Sequence, residues 1–243
     1  MTTSAEMPST SAPKSLPARV LGVLFAPRET FQDVAAHPRW FGMLVLLVVF
    51  VSAATFIFLS TEVGRQATLD QQVSVMESFG MEITDEVYDR MERQAAMSAY
   101  FGAGSQLAVL PIMYLVMSGI LFAIFTAGTG GQASFKQLFA VVTHSGAITI
   151  VQQLFTLPLN YARGSMSSPT NLGALLPMLP EGSFLANLLG TVDLFIIWWL
   201  VVLAIGLAVL YRRKTQPIAI TLFVIYGVIA LVIAGVRSWM GGS

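Results

Sequence analysis

Five stretches of this chain are long, apolar and nearly free of charge. They are Phe41 to Ser60, Gly104 to Ala127, Phe135 to Leu157, Asn187 to Leu210 and Ile218 to Val236. Lys136, at the start of the third, and Asp193, near the start of the fourth, are the charged residues inside them. Roughly 20 apolar residues wound as a helix cross the roughly 30 Å of a bilayer's hydrocarbon. Hydrocarbon offers no water to the backbone, so each crossing segment must satisfy its own N–H and C=O groups, and a helix does this. Charged residues make up only 11% of the chain and hydrophobic ones 55%, against about 25% charged in an ordinary soluble domain. Too few charges remain to cover a water-facing surface. The expected fold is all-α: a polytopic transmembrane helical bundle of about five spans.

The connections alternate. Residues 128–134 (GTGGQAS) and 211–217 (YRRKTQP) are short links that force antiparallel neighbours, whereas loops 61–103 and 158–186 are long. With the N-terminus inside, the inner side holds Lys14, Arg19, Arg28, Arg39, Lys136, Arg212, Arg213 and Lys214, and the outer side holds Arg65, Arg90, Arg93, Arg163 and Arg237. Positive residues gather on the cytoplasmic side of membrane proteins. This puts the N-terminus in the cytoplasm and the C-terminus outside. Residues 1–15 are rich in Ser, Thr, Pro and Ala and read as a disordered tail. They lack the apolar core of a cleavable signal peptide. Residues 16–243 then form one membrane domain.

Leu16 to Phe25 and Pro27 to Ala36 read as two short amphipathic helices, with Pro27 suited to a first helical position. Two placements are open to them: lying in the cytoplasmic interface, or packed beneath the bundle. In the first long loop, Thr84 is a plausible N-cap for a helix running to about Ser98, preceded by an amphipathic piece, Leu69 to Phe79. The second long loop contains Pro158, Pro169, Pro177 and Pro180 and reads as irregular.

Chemistry has few places to reside. Net charge is zero, so no basic field points to nucleic acid. The chain has no cysteine, and no HExxH, GxSxG, GxGxxG or P-loop pattern occurs. No catalytic, cofactor-binding or metal site is expected. Asp193 and His144 are the candidate intramembrane polar residues. Buried carboxylates in spans are costly and often functional. For Asp193 the larger weight goes to a structural role, such as capping a helix start. Partner recognition and ion or proton handling are the lesser readings. His144 starts from the inner side and Asp193 from the outer, so contact between them is not expected. Pro111 is expected to bend the second span. The small residues Gly119, Ala123 and Ala127, and Ala230 and Ala234, favour close helix contacts within the chain.

Three blocks carry a resemblance. VLFAPRETFQDVAAHPRW contains Pro27, Phe31, Pro38 and Trp40; GGQASFKQLFAVVTHSG contains Gly131, Phe135 and Lys136; VDLFIIWWLVVLAIGLAVLYRRKTQPIAI contains Asp193, Phe195, Trp198 and Gly206. Together they resemble the Yip1-domain membrane proteins, in their bacterial branch. The resemblance implies a five-span bundle with a cytoplasmic N-terminus. Eukaryotic members are linked to Rab GTPases and vesicle traffic, machinery that bacteria lack. What carries over is fold and location. The expected function is that of a non-enzymatic component that organises membrane or binds membrane proteins, with the bilayer, other membrane proteins or further copies of itself as partners. The alternative is a small transporter or permease subunit for an ion, lipid or solute.

Overall fold

The computed structural model describes residues 12–95, 97–128, 130–176, 178–179 and 183–240. Residues 1–11, most of the expected tail, and Pro177 and Pro180 of the second long loop lie outside this set. Among the described residues there are eleven α-helices and no β-strand. A short hairpin, α1 (Leu16–Phe25) and α2 (Pro27–Ala36), leads into the first long helix, α3 (Phe41–Leu59). The first long loop folds as α4 (Glu62–Ser78) and α5 (Asp85–Ala95). The chain returns through α6 (Ser98–Phe122), which ends in a π-helical turn, Ala123–Ala127. Then follow α7 (Phe135–Ser145), α8 (Ala147–Arg163), α9 (Phe184–Thr191), α10 (Leu194–Leu210) and α11 (Thr215–Met240).

Four stretches are long and apolar enough to cross a membrane: Phe41–Leu59, Ser98–Thr126, Phe135–Arg163 and Thr215–Trp239. The fifth is α10, with 17 residues. At 1.5 Å per residue it covers roughly 25 Å, the short end of the spanning range. It is also the centre of the molecule. Leu203, Ala204 and Leu207 of α10 and Leu138, Ala140, Val141 and Val142 of α7 are fully or almost fully buried, and α2 packs against both helices. The mainly apolar surface of α10 is spent on protein, while α6 and α11 turn most of theirs outward.

The expected helix boundaries shift most in three places. The fourth span is not one helix from Asn187. It breaks at Val192 and Asp193, whose backbone is extended. The third divides at Gly146 and continues to Arg163, six residues past Leu157. Its break has a local cause. Thr143 donates to the Phe139 and Ala140 carbonyls (2.9 and 3.1 Å), the His144 ring bonds the Ala140 carbonyl, and Ser145 donates to that of Val142. Such back-bonding competes with the N–H ladder of the helix. The second span starts at Ser98, six residues before Gly104.

The first long loop is more helical than expected. Thr61 caps α4, accepting from Gly64 N at 3.0 Å, so that helix begins well before Leu69. Thr84 Oγ1 does accept from Val87 N, at 3.4 Å, and α5 closes at Ala95. The second long loop has only one turn of 3₁₀ helix, Gly173–Leu175, between α8 and α9 among its described residues. Of the two small-residue stripes, Ala230 and Ala234 are buried, but nothing approaches Gly119. Ala123, one turn further on, is exposed.

Candidate functional site

Two polar centres are buried, one near each end of the bundle. The first joins the N-terminal hairpin to the spans. Arg19 of α1 is only 2% exposed. Its Nε donates to Asp33 Oδ2 of α2 at 2.7 Å, and its Nη2 donates to the His37 carbonyl at 3.0 Å. The Lys14 backbone N–H reaches Asp33 Oδ1 at 3.3 Å. His37 Nδ1 lies 3.4 Å from the same oxygen without hydrogen-bond geometry. Below this pair, Gln137 completes a capping box with Ser134 at the start of α7 and donates through Nε2 to the Ala35 carbonyl at 3.0 Å. The hairpin is thus tied to the bundle by a buried ion pair and a side-chain clasp. It packs against α7, α8 and α10.

His144 stands next to this centre in α7, fully buried. Its Nδ1 faces the Ala140 carbonyl at 2.7 Å. A carbonyl only accepts, so Nδ1 carries the hydrogen and Nε2 presents a lone pair. That nitrogen has no hydrogen-bond partner among the described residues.

The second centre is Asp193, 4% exposed. Oδ1 accepts from Phe195 N (2.8 Å) and Ile196 N (3.4 Å), which caps α10. Oδ2 accepts from Ser168 Oγ (2.5 Å) and Thr170 Oγ1 (2.6 Å) of the second long loop. The backbone adds a bridge on the same line: Leu172 N donates to Val192 O, and Leu194 N to Thr170 O. Tyr226 of α11 donates to the Thr191 carbonyl. One carboxylate therefore starts a span and pins a loop to it. Both of its oxygens are occupied by hydroxyl and amide donors.

The remaining motif residues are packing joints. Phe31 is fully buried against Gly206 of α10. A methyl at Gly206 would lie 2.7 Å from Val141 Cγ1 and 3.1 Å from the Phe31 ring, so only glycine lets α2, α7 and α10 meet this closely. Gly131 plays the same part in the short link: a methyl there would lie 2.5 Å from the Tyr211 ring. Pro27 opens α2. Pro38 lies in the link to α3, and Trp40 meets Phe139 edge-on at 5.1 Å. Phe135 stacks on Phe139, and Phe195 on Trp198. Lys136 is exposed.

The structure keeps His144 and Asp193 in separate hydrogen-bond networks, as expected from their opposite entry sides. Arg19 and Asp33 were missed as a site: read along the chain they were polar residues spaced among apolar ones. The signal available was their spacing onto facing sides of two short helices. Ser168 and Thr170 gave no signal, because their role depends on a partner 23 to 25 residues away. No group of three or more His, Asp or Glu among the described residues is placed to hold a metal ion.

Apolar crossing helices around a packed α2–α7–α10 centre define a polytopic helical membrane protein. Its two buried polar centres, Arg19–Asp33 and Asp193, lie where elements join. The family model described as Yip1 domain matches residues 21–236, and the chain belongs to the Yip1 family. No curated protein and no solved structure matches it.

Proposed function

We propose that this Yip1 protein is a non-enzymatic component that organises membrane or holds other membrane proteins, in the manner of the bacterial branch of the family. We place it in a bacterial cytoplasmic membrane with its N-terminus inside. The observation that carries this reading is the unequal use of the spans. Within their apolar windows, α7–α8 are 61% buried, whereas α6 is 11% and α11 22% buried. A rigid centre thus presents two long helices with most of their surface unused by the chain. Such faces suit lipid or another membrane helix.

The test is photo-cross-linking in the membrane from Met113 of α6 and Ile229 of α11, both exposed, with Ser118, buried on α6, as the internal control. Defined protein adducts from the first two positions and none from the third are expected. Only lipid adducts from Met113 and Ile229 would remove the reading.

One observation favours transport: the unpartnered Nε2 of fully buried His144 beside the Arg19–Asp33 pair. An unsatisfied buried nitrogen calls for a partner. On this reading, proteoliposomes show ion or solute flux that His144→Ala abolishes. Parent protein without flux discards it.

A further inference from the structure

Lys136, Trp40 and Pro111 have no part in either buried centre, yet they line one groove. It lies between α6, α7 and the start of α3 and has a volume of about 370 Å³. Pro111, Ile112 and Leu115 form one wall, Trp40 and Phe139 the other, and Lys136 stands at one end. We propose that this groove binds one anionic glycerophospholipid, with an acyl chain along the α6 wall and the phosphate on Lys136.

Length is the first argument. The Phe122 and Phe135 rings meet at 5.7 Å, so Phe122 marks the level of Lys136 on α6. From there to Pro111 is eleven residues, roughly 16 Å along the helix axis. Half of a hydrocarbon core of roughly 30 Å is one leaflet. The reach from the level of Lys136 to Pro111 therefore matches the length of one acyl chain.

Charge is the second. Lys136 is exposed, no acid lines the groove, and no carboxylate among the described residues pairs with its ammonium. Arg39, next in sequence to Trp40, is exposed as well. The Arg212–Lys214 turn lies at the same end of the bundle, since Tyr211 packs on Phe125 and bonds Thr126 at 2.8 Å, but none of its residues lines the groove. A cationic mouth over an apolar trough matches a phosphate on a lipid tail. Cations beside a membrane surface favour anionic over zwitterionic headgroups, which bring their own positive charge. Trp40 sits where interfacial aromatics gather, level with the headgroups.

The test uses the full chain in nanodiscs of phosphatidylglycerol and phosphatidylcholine in equal amounts. Lipid retained after detergent extraction is counted by native mass spectrometry. One phosphatidylglycerol per chain is expected, lowered about fivefold by Lys136→Gln and lost when Leu115→Trp fills the trough. Lys136→Arg should retain it. Lys214→Gln, at the same end but outside the groove, should change nothing. Should Leu115→Trp fail to fold by circular dichroism, phosphatidylglycerol with a photoactivatable acyl chain takes its place, with adducts expected between Pro111 and Leu115. Equal retention of phosphatidylcholine, retention unaffected by Lys136→Gln, equal loss in Lys214→Gln, or adducts confined to other helices would each overturn the proposal.

Discussion

Arg19 and Asp33 illustrate how burial sets the weight of a residue. On a surface such a pair contributes little, about 0–1 kcal/mol. Here Arg19 is sealed in, and it also holds the His37 carbonyl at 3.0 Å. Removing one partner strands a buried charge. Arg19→Met is therefore expected to cost about 3–5 kcal/mol, read as a fall in the thermal unfolding midpoint in detergent. Arg19→Met with Asp33→Leu is expected to recover most of that loss, because no charge is then left unpaired. Gly206→Ala is expected to cost about 1–3 kcal/mol by overpacking, since Val141 and Phe31 already occupy the space of a methyl. Asp193→Asn would aim amide hydrogens at hydroxyls that now donate to it. Faster hydrogen exchange over residues 168–172 and a stability loss of about 1–3 kcal/mol are expected. The capping role of Asp193 was legible in advance, because an acid at a helix start has a local physical logic. Its hold on Ser168 and Thr170 was not, because the loop's path depends on the whole bundle.

At the scale of elements, the hairpin of α1 and α2 departs furthest from a surface role. Amphipathic periodicity gave its two helices and their ends. It left open whether the apolar face met lipid or protein. The structure answers through contacts far apart in sequence: Phe31 against Gly206, Gln137 on Ala35, and α1 against both α7 and α8. Because α8 begins only at Ala147, α1 reaches well up the third span. Leu21 and Phe25 nevertheless stay 57% and 83% exposed near the hairpin's tip. Two large apolar residues beside spanning helices should face lipid. The chain has no cysteine, so Phe25→Cys can carry a single fluorescent label. Quenching by spin-labelled acyl chains and none by aqueous iodide is expected; the reverse would place the tip in water.

At the scale of the whole molecule, four stretches are long and apolar enough to cross a membrane and α10 is a fifth, shorter one. Five crossings, the number expected from the sequence, would put the ends on opposite faces. An impermeant thiol reagent applied to intact cells is expected to label Ser238→Cys, and Ser15→Cys only after the membrane is opened. Labelling of both from outside would require an even number of crossings. That count rests most heavily on α10, because its 17 residues are at the short end for a span and are among the most buried in the chain. Apolar content alone cannot distinguish a helix that faces lipid from one that faces protein, since both environments select the same side chains.

By itself the sequence determined the helical class, the apolar stretches, the short polar links and the blocks that mark the family. Each of these follows from local composition: hydrocarbon requires helices, and polar links must lie outside it. Tertiary structure alone decided that α10 is the core, that the α1–α2 hairpin is locked in by Arg19 and Asp33, and that Asp193 pins a loop while His144 keeps a nitrogen unpaired. These depend on which helix faces meet, and a pairwise fit of shape and charge is not written in either partner alone.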